Sequence, residues 1–187
     1  MIINVLKVIS AVATLSMPVA AAAEPLAGIR FDLIPVGCRI HGVYSDGSVS
    51  IDEYIGKRAG RHVVKTFGGV GGRALLRTTQ FNPQGWMVKK VWAAGQWETF
   101  APYSCFSQPG KCTYRYANSD GAQETYQGEV RPKGGDLVSS GGYAGQPAFS
   151  PTRLQLDAWN ITKSYREGST SYRLTKYENC GSNLPVG

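Results

Sequence analysis

The chain has 187 residues, a formal charge of +7 and four cysteines, with 23 glycines and only two histidines. Beyond its first residues no stretch approaches the roughly 20 apolar residues that a membrane-spanning helix needs, which argues against a helical membrane protein. A moderately basic surface suits anionic partners, but the lysines and arginines are scattered without a long basic run, which argues against nucleic acid as a partner.

The chain opens with the features of a targeting signal. Residues 1–7 are short and weakly positive, 8–15 are apolar, and Ala21-Ala22-Ala23 before Glu24 fits a small-x-small cleavage rule. The expected division is a signal peptide over 1–23 and a single β-barrel domain over 24–187, with a charge of +6 once Lys7 is gone. No cysteine lies at the cleavage point, so no lipid anchor is expected. The mature chain is expected to be periplasmic or secreted. In such an oxidising compartment an even cysteine count points to disulfides. CxxC spacing is absent, and neither a metal nor a cofactor is expected.

Turn pairs recur along the chain, at Asp46-Gly47, Asn82-Pro83-Gln84-Gly85, Pro109-Gly110, Asp120-Gly121 and Glu167-Gly168. Between them apolar or aromatic residues alternate with polar ones at period two, and no amphipathic helix is legible. The pattern predicts an all-β fold: an antiparallel, hairpin-connected barrel of about 10–12 strands. The expected strands run over 38–45, 48–56, 61–67, 73–81, 86–92 and 96–104, then 112–118, 122–130, 136–140, 152–157, 159–165 and 170–178. Residues 141–150 read as a longer loop.

Two tandem repeats of about 70 residues, 38–105 and 112–180, are expected to build this barrel. Cys38 and Cys112 are each followed by Ser-Asp-Gly, then by Tyr54-x-Gly56 and Tyr126-x-Gly128. The strongest match aligns Trp86-x3-Lys90-x-Trp92-x2-Gly95 with Trp159-x3-Lys163-x-Tyr165-x2-Gly168. The repeats could share one barrel or close into two. A hairpin around Ser107–Gly110 would set Cys105 opposite Cys112 and leave Cys38 to join Cys180, which ties the first strand to the last. The equally symmetric alternative, Cys38 with Cys105 and Cys112 with Cys180, would staple two small modules.

Regular alternation puts Trp86, Val88, Lys90 and Trp92 on one face, and Trp159, Ile161, Lys163 and Tyr165 on its equivalent. The other face of the second copy, Asn160, Thr162 and Ser164, is polar, so the aromatic face is expected to point inward. A lysine among aromatic neighbours is costly to bury unless an anion or polar partner meets it. Trp86, Lys90, Trp92, Trp159, Lys163 and Tyr165 are therefore the candidate ligand-binding residues, for an amphiphilic or anionic small ligand. The bland reading is core packing, with the lysine stems reaching back to water.

No catalytic residue is expected. His41 reads as outward-facing, and His62 has no neighbour whose spacing compels a base. Asp46 and Asp120 read as turn residues, and Asn160-Ile161-Thr162 is only a bare sequon. Three functions stay open: an exported, non-catalytic barrel binding a ligand in its interior, an envelope protein binding cell-wall polymer or another secreted protein through its outer surface, and a small isomerase- or cyclase-like barrel enzyme.

Overall fold

The computed structural model describes residues 28–101, 109–182 and 184–185, so the expected targeting segment lies outside the described residues. The first six strands are β1 (Arg39–Tyr44), β2 (Val49–Arg58), β3 (Arg61–Gly68), β4 (Ala74–Phe81), β5 (Met87–Trp92) and β6 (Trp97–Ala101). The next six are β7 (Gly110–Asn118), β8 (Gln123–Lys133), β9 (Asp136–Tyr143), β10 (Thr152–Leu156), β11 (Thr162–Glu167) and β12 (Thr170–Glu178). Each pairs antiparallel with its chain neighbours, and β12 returns to pair with β1. β6 also pairs with β7, so the two halves share one closed barrel and do not form two modules.

A disulfide fastens the seam. Cys38, just before β1, is bonded to Cys180, just after β12, with Cα atoms 4.4 Å apart. Cys112 is also disulfide-bonded. Its expected partner, Cys105, lies outside the described residues.

Several boundaries differ from the alternation pattern by a few residues, and two of them have a clear local reason. The strand expected at 159–165 starts only at Thr162, because Asp157 captures the preceding residues in a turn. Its Oδ1 accepts from the backbone N–H groups of Trp159 and Ile161 at 2.8 and 2.9 Å, and Asn160 takes a positive φ of 59°. β9, in turn, runs on to Tyr143, into the stretch that reads as loop. Gly141 faces Gly128 across the β8–β9 pair, and the Tyr126 side chain lies against both. A Cβ on Gly141 would run into the Tyr126 hydroxyl and the β8 backbone. These glycines make room for a ring within a sheet.

The segment before β1 closes one end of the barrel. Gly28 and Ile29 donate to the Gln84 and Gly85 carbonyls, and Arg30 donates to the Trp159 carbonyl. The plug thus hydrogen-bonds to the β4–β5 and β10–β11 turns, which lie on opposite sides of the ring of strands. Phe31 carries it inward and stacks on His62 with ring centroids 4.4 Å apart. His62 is buried, and its Nδ1 lies 2.7 Å from the Tyr54 hydroxyl. His41 does face outward, where it meets Glu178 at 2.8 Å.

Two apolar clusters fill much of the interior. One gathers Phe31, Ile34, Tyr54, Trp159, Ile161 and the seam disulfide at the plugged end. The other gathers Phe100, Cys112, Tyr114 and Tyr126 from β6, β7 and β8, with Tyr114 and Tyr126 stacked at 4.7 Å. Outside, Arg115, Arg131, Arg153, Arg166 and Arg173 are exposed on consecutive hairpins. A lipid-spanning barrel needs an apolar belt at such positions. No helix among the described residues is long and apolar enough to cross a membrane.

Candidate interior binding site

Between the two clusters the barrel is not filled by side chains. A cavity of about 450 Å³ runs from the plug between two facing walls. Phe81, Trp86, Met87 and Lys90 of the β4–β5 hairpin form one wall. Leu154, Leu156, Thr162 and Tyr165 of the β10–β11 hairpin form the other. A second compartment of about 140 Å³ adjoins it and shares Ile29, Phe81, Met87 and Lys90 with it. Its remaining lining is divided. Phe31, Ile34, Ile40, Val64 and Ile161 are apolar, whereas Asp52, Thr66, Arg77 and Thr79 are polar.

Bulges decide which residues reach this space. In the β4–β5 pair Gln80 faces Lys89 and Phe81 faces Met87, so Val88 is skipped. The skip puts Met87 in the cavity lining in place of Val88 and keeps Lys90 there. In the β10–β11 pair Gln155 faces Ser164 and Leu156 faces Thr162, so Lys163 is the skipped residue.

The six residues expected to meet a ligand are therefore split. Trp86, Lys90 and Tyr165 line the larger cavity together. Trp92 lines neither compartment and instead lies beside Arg77, whose guanidinium carbon is 5.6 Å from its ring centre. Trp159 is 3% exposed and belongs to the plugged-end cluster, edge-on to Tyr177. Lys163 lines neither compartment, which corrects the expectation that two equivalent lysines point inward.

The cause is a slip of register between the hairpins. Asn82 plays the part of Asp157: its Oδ1 accepts from the N–H groups of Gln84 and Trp86, and Gly85 takes the positive φ that Asn160 takes in the other turn. On that register Trp86 answers to Ile161, Val88 to Lys163 and Lys90 to Tyr165. The alignment of Trp86 with Trp159 is two residues off the geometry.

The interior charges are few and specific. Lys90 Nζ lies 3.5 Å from Glu98 Oε2 and 5.1 Å from the Phe100 ring centre. Burial pulls the Lys90 ammonium below its usual range, and Glu98 offsets this in part. Asp52 accepts from the Thr66 hydroxyl at 2.6 Å. Burial still pushes its carboxyl up, against the pull of that hydrogen bond and of Arg77. Arg77 Nε is buried without a hydrogen-bond partner among the described residues. Tyr44, Tyr165 and Tyr172 form a ring cluster beside these groups, and burial raises both the Tyr165 and Tyr172 hydroxyls.

Sequence reasoning missed Arg77, Asp52 and Glu98. A signal for the first two exists, since Arg77, Thr79 and Phe81 alternate, as do Ser50, Asp52 and Tyr54. Glu98 has no such signal, because its strand is short and its outer neighbour Trp97 is the more hydrophobic residue. Among the described residues no group of histidine, cysteine, aspartate and glutamate side chains is arranged to hold a metal ion. The chain matches no family model, no curated protein and no solved structure.

Proposed function

We propose that this chain is an exported, non-catalytic binding protein that holds an amphiphilic, acidic small ligand inside its barrel. The observation that carries the reading is the space between the β4–β5 and β10–β11 walls, a cavity of about 450 Å³ with aliphatic and aromatic lining and a half-buried lysine. A concave, mostly apolar site with a few placed polar groups is the usual form of a small-molecule site. Export is part of the proposal, and the Cys38–Cys180 disulfide supports it because such bonds persist in oxidising compartments.

The test is non-denaturing mass spectrometry of the protein purified gently from its native cells. A bound organic mass is expected on the wild type and none on Leu154→Trp, which fills the cavity from the β10 wall. A wild-type protein that carries no such mass, and that takes up no added amphiphile, would refute the reading.

A second reading draws on the outer surface. Arg153 and Arg166 stand directly opposite one another on β10 and β11, and Arg173 follows on β12. Like charges at opposed positions are unfavourable in isolation, and an acidic polymer laid across them would relieve that. Loss of binding to envelope polymer in Arg153→Glu with Arg166→Glu, with interior binding intact, would favour this surface.

A further inference from the structure

We infer that Arg77 is the anchor for the head group of the interior ligand, and that this head is a single carboxylate. The inference rests on the reading of the interior as a binding site and narrows it to one residue and one chemical class. Lys90, the cation that the sequence brings forward, is already matched by Glu98 at 3.5 Å. Arg77 has no such close ion pair among the described residues, although Asp52 is near enough to feel its charge. Its Nε is buried without a hydrogen-bond partner among the described residues, and its guanidinium carbon sits 5.6 Å from the Trp92 ring centre.

A buried guanidinium Nε with no acceptor is expensive, and the planar fork it belongs to suits the two oxygens of a carboxylate. The groups around it decide the charge of the guest. Thr66 and Thr79 offer hydroxyls, and Asp52, which accepts from Thr66 at 2.6 Å, puts its carboxyl in the same lining as Arg77. With that carboxyl beside the guanidinium, the site has room for at most one negative charge on the guest. A dianionic phosphate would lack a second cation, because Lys90 is committed to Glu98. From Arg77 an apolar chain would pass Phe81 and Met87, which line both compartments, into the larger cavity.

The probes are decanoate, decanol and decyltrimethylammonium, titrated into the full-length mature protein by calorimetry. Intrinsic tryptophan fluorescence serves as a second readout. Decanoate should bind the wild type at least tenfold more tightly than decanol, and the cationic probe should not bind. Arg77→Met should weaken decanoate about ten- to a hundredfold, the usual worth of hydrogen bonds to a charged group, and leave decanol unchanged. Asp52→Asn, which removes that carboxylate, should tighten decanoate. If Arg77→Met does not fold, the double variant Arg77→Met with Asp52→Asn removes both charges and should bind the acid no better than the alcohol.

Equal binding of acid and alcohol by the wild type, or undiminished decanoate binding by the Arg77 variants, overturns the Arg77 assignment and leaves the interior site standing. Binding of neither probe overturns both.

Discussion

Asp52 shows what a single buried group does to this molecule. Its carboxyl is held above its ordinary value near 3.8 by burial, so the folded state takes up the proton at a higher pH than the unfolded chain. Below the unfolded value both states are neutral and the burial penalty vanishes. As pH rises through the folded value, the ionised group must be kept out of water and stability is lost. Asp52→Asn should therefore raise the urea midpoint at pH 7, and the gain should fade as the pH approaches 4. His62 works with the opposite sign. Burial and the charge of Lys57 lower its pKa, so the unfolded chain protonates first as pH falls below about 6.5. Stability is lost from there downwards until the folded value is passed. His62→Gln should flatten that acid limb of the urea midpoint plotted against pH.

The two side-chain-capped turns belong to the scale of elements. Asn82 and Asp157 each hold two backbone N–H groups with one side-chain oxygen, at the ends where the plug attaches. Asp157 does more, since its other oxygen accepts from the Tyr177 hydroxyl and the residue is buried. Asn82→Ala should cost about 1 kcal/mol and Asp157→Ala about 2–3 kcal/mol in urea unfolding, the difference being the charge-assisted bond and the stranded hydroxyl. Faster amide exchange at Arg30, which donates to the Trp159 carbonyl, should accompany only the second variant.

These turns also mark the limit of what the sequence discloses. Strand order and the period-two faces were legible, because Asp-Gly and Asn-Pro pairs punctuate the runs and a closed sheet leaves no strand edge to protect. The inward set was only partly legible. One skipped residue in each of β5 and β11 brings Met87 and Thr162 into the lining in place of Val88 and Lys163, and nothing in the letters Val88 or Lys163 announces a bulge. The chance likeness of Trp86 and Trp159 then drew the hairpins two residues out of register. Arg77 stands in plain alternation with Thr79 and Phe81, but nothing else in the sequence singles it out.

The whole molecule is a ring of twelve strands whose closure depends on the pairing of β1 with β12. That contact joins residues far apart in the chain, so the entropy of bringing them together is large. The Cys38–Cys180 bond, whose ends are 142 positions apart in sequence, removes most of that cost from the unfolded state. The chain-entropy account puts the effect at about 4–5 kcal/mol for so long a loop. Cys38→Ala with Cys180→Ala should lower stability by that order in urea unfolding. The seam variant should also expose its lesion in one place. Amide exchange should accelerate along β1 and β12 and at the plug, whose core residues Phe31 and Ile34 pack against this disulfide. Uniform acceleration across all strands would mean that the barrel opens only globally and that the seam is not its weakest line.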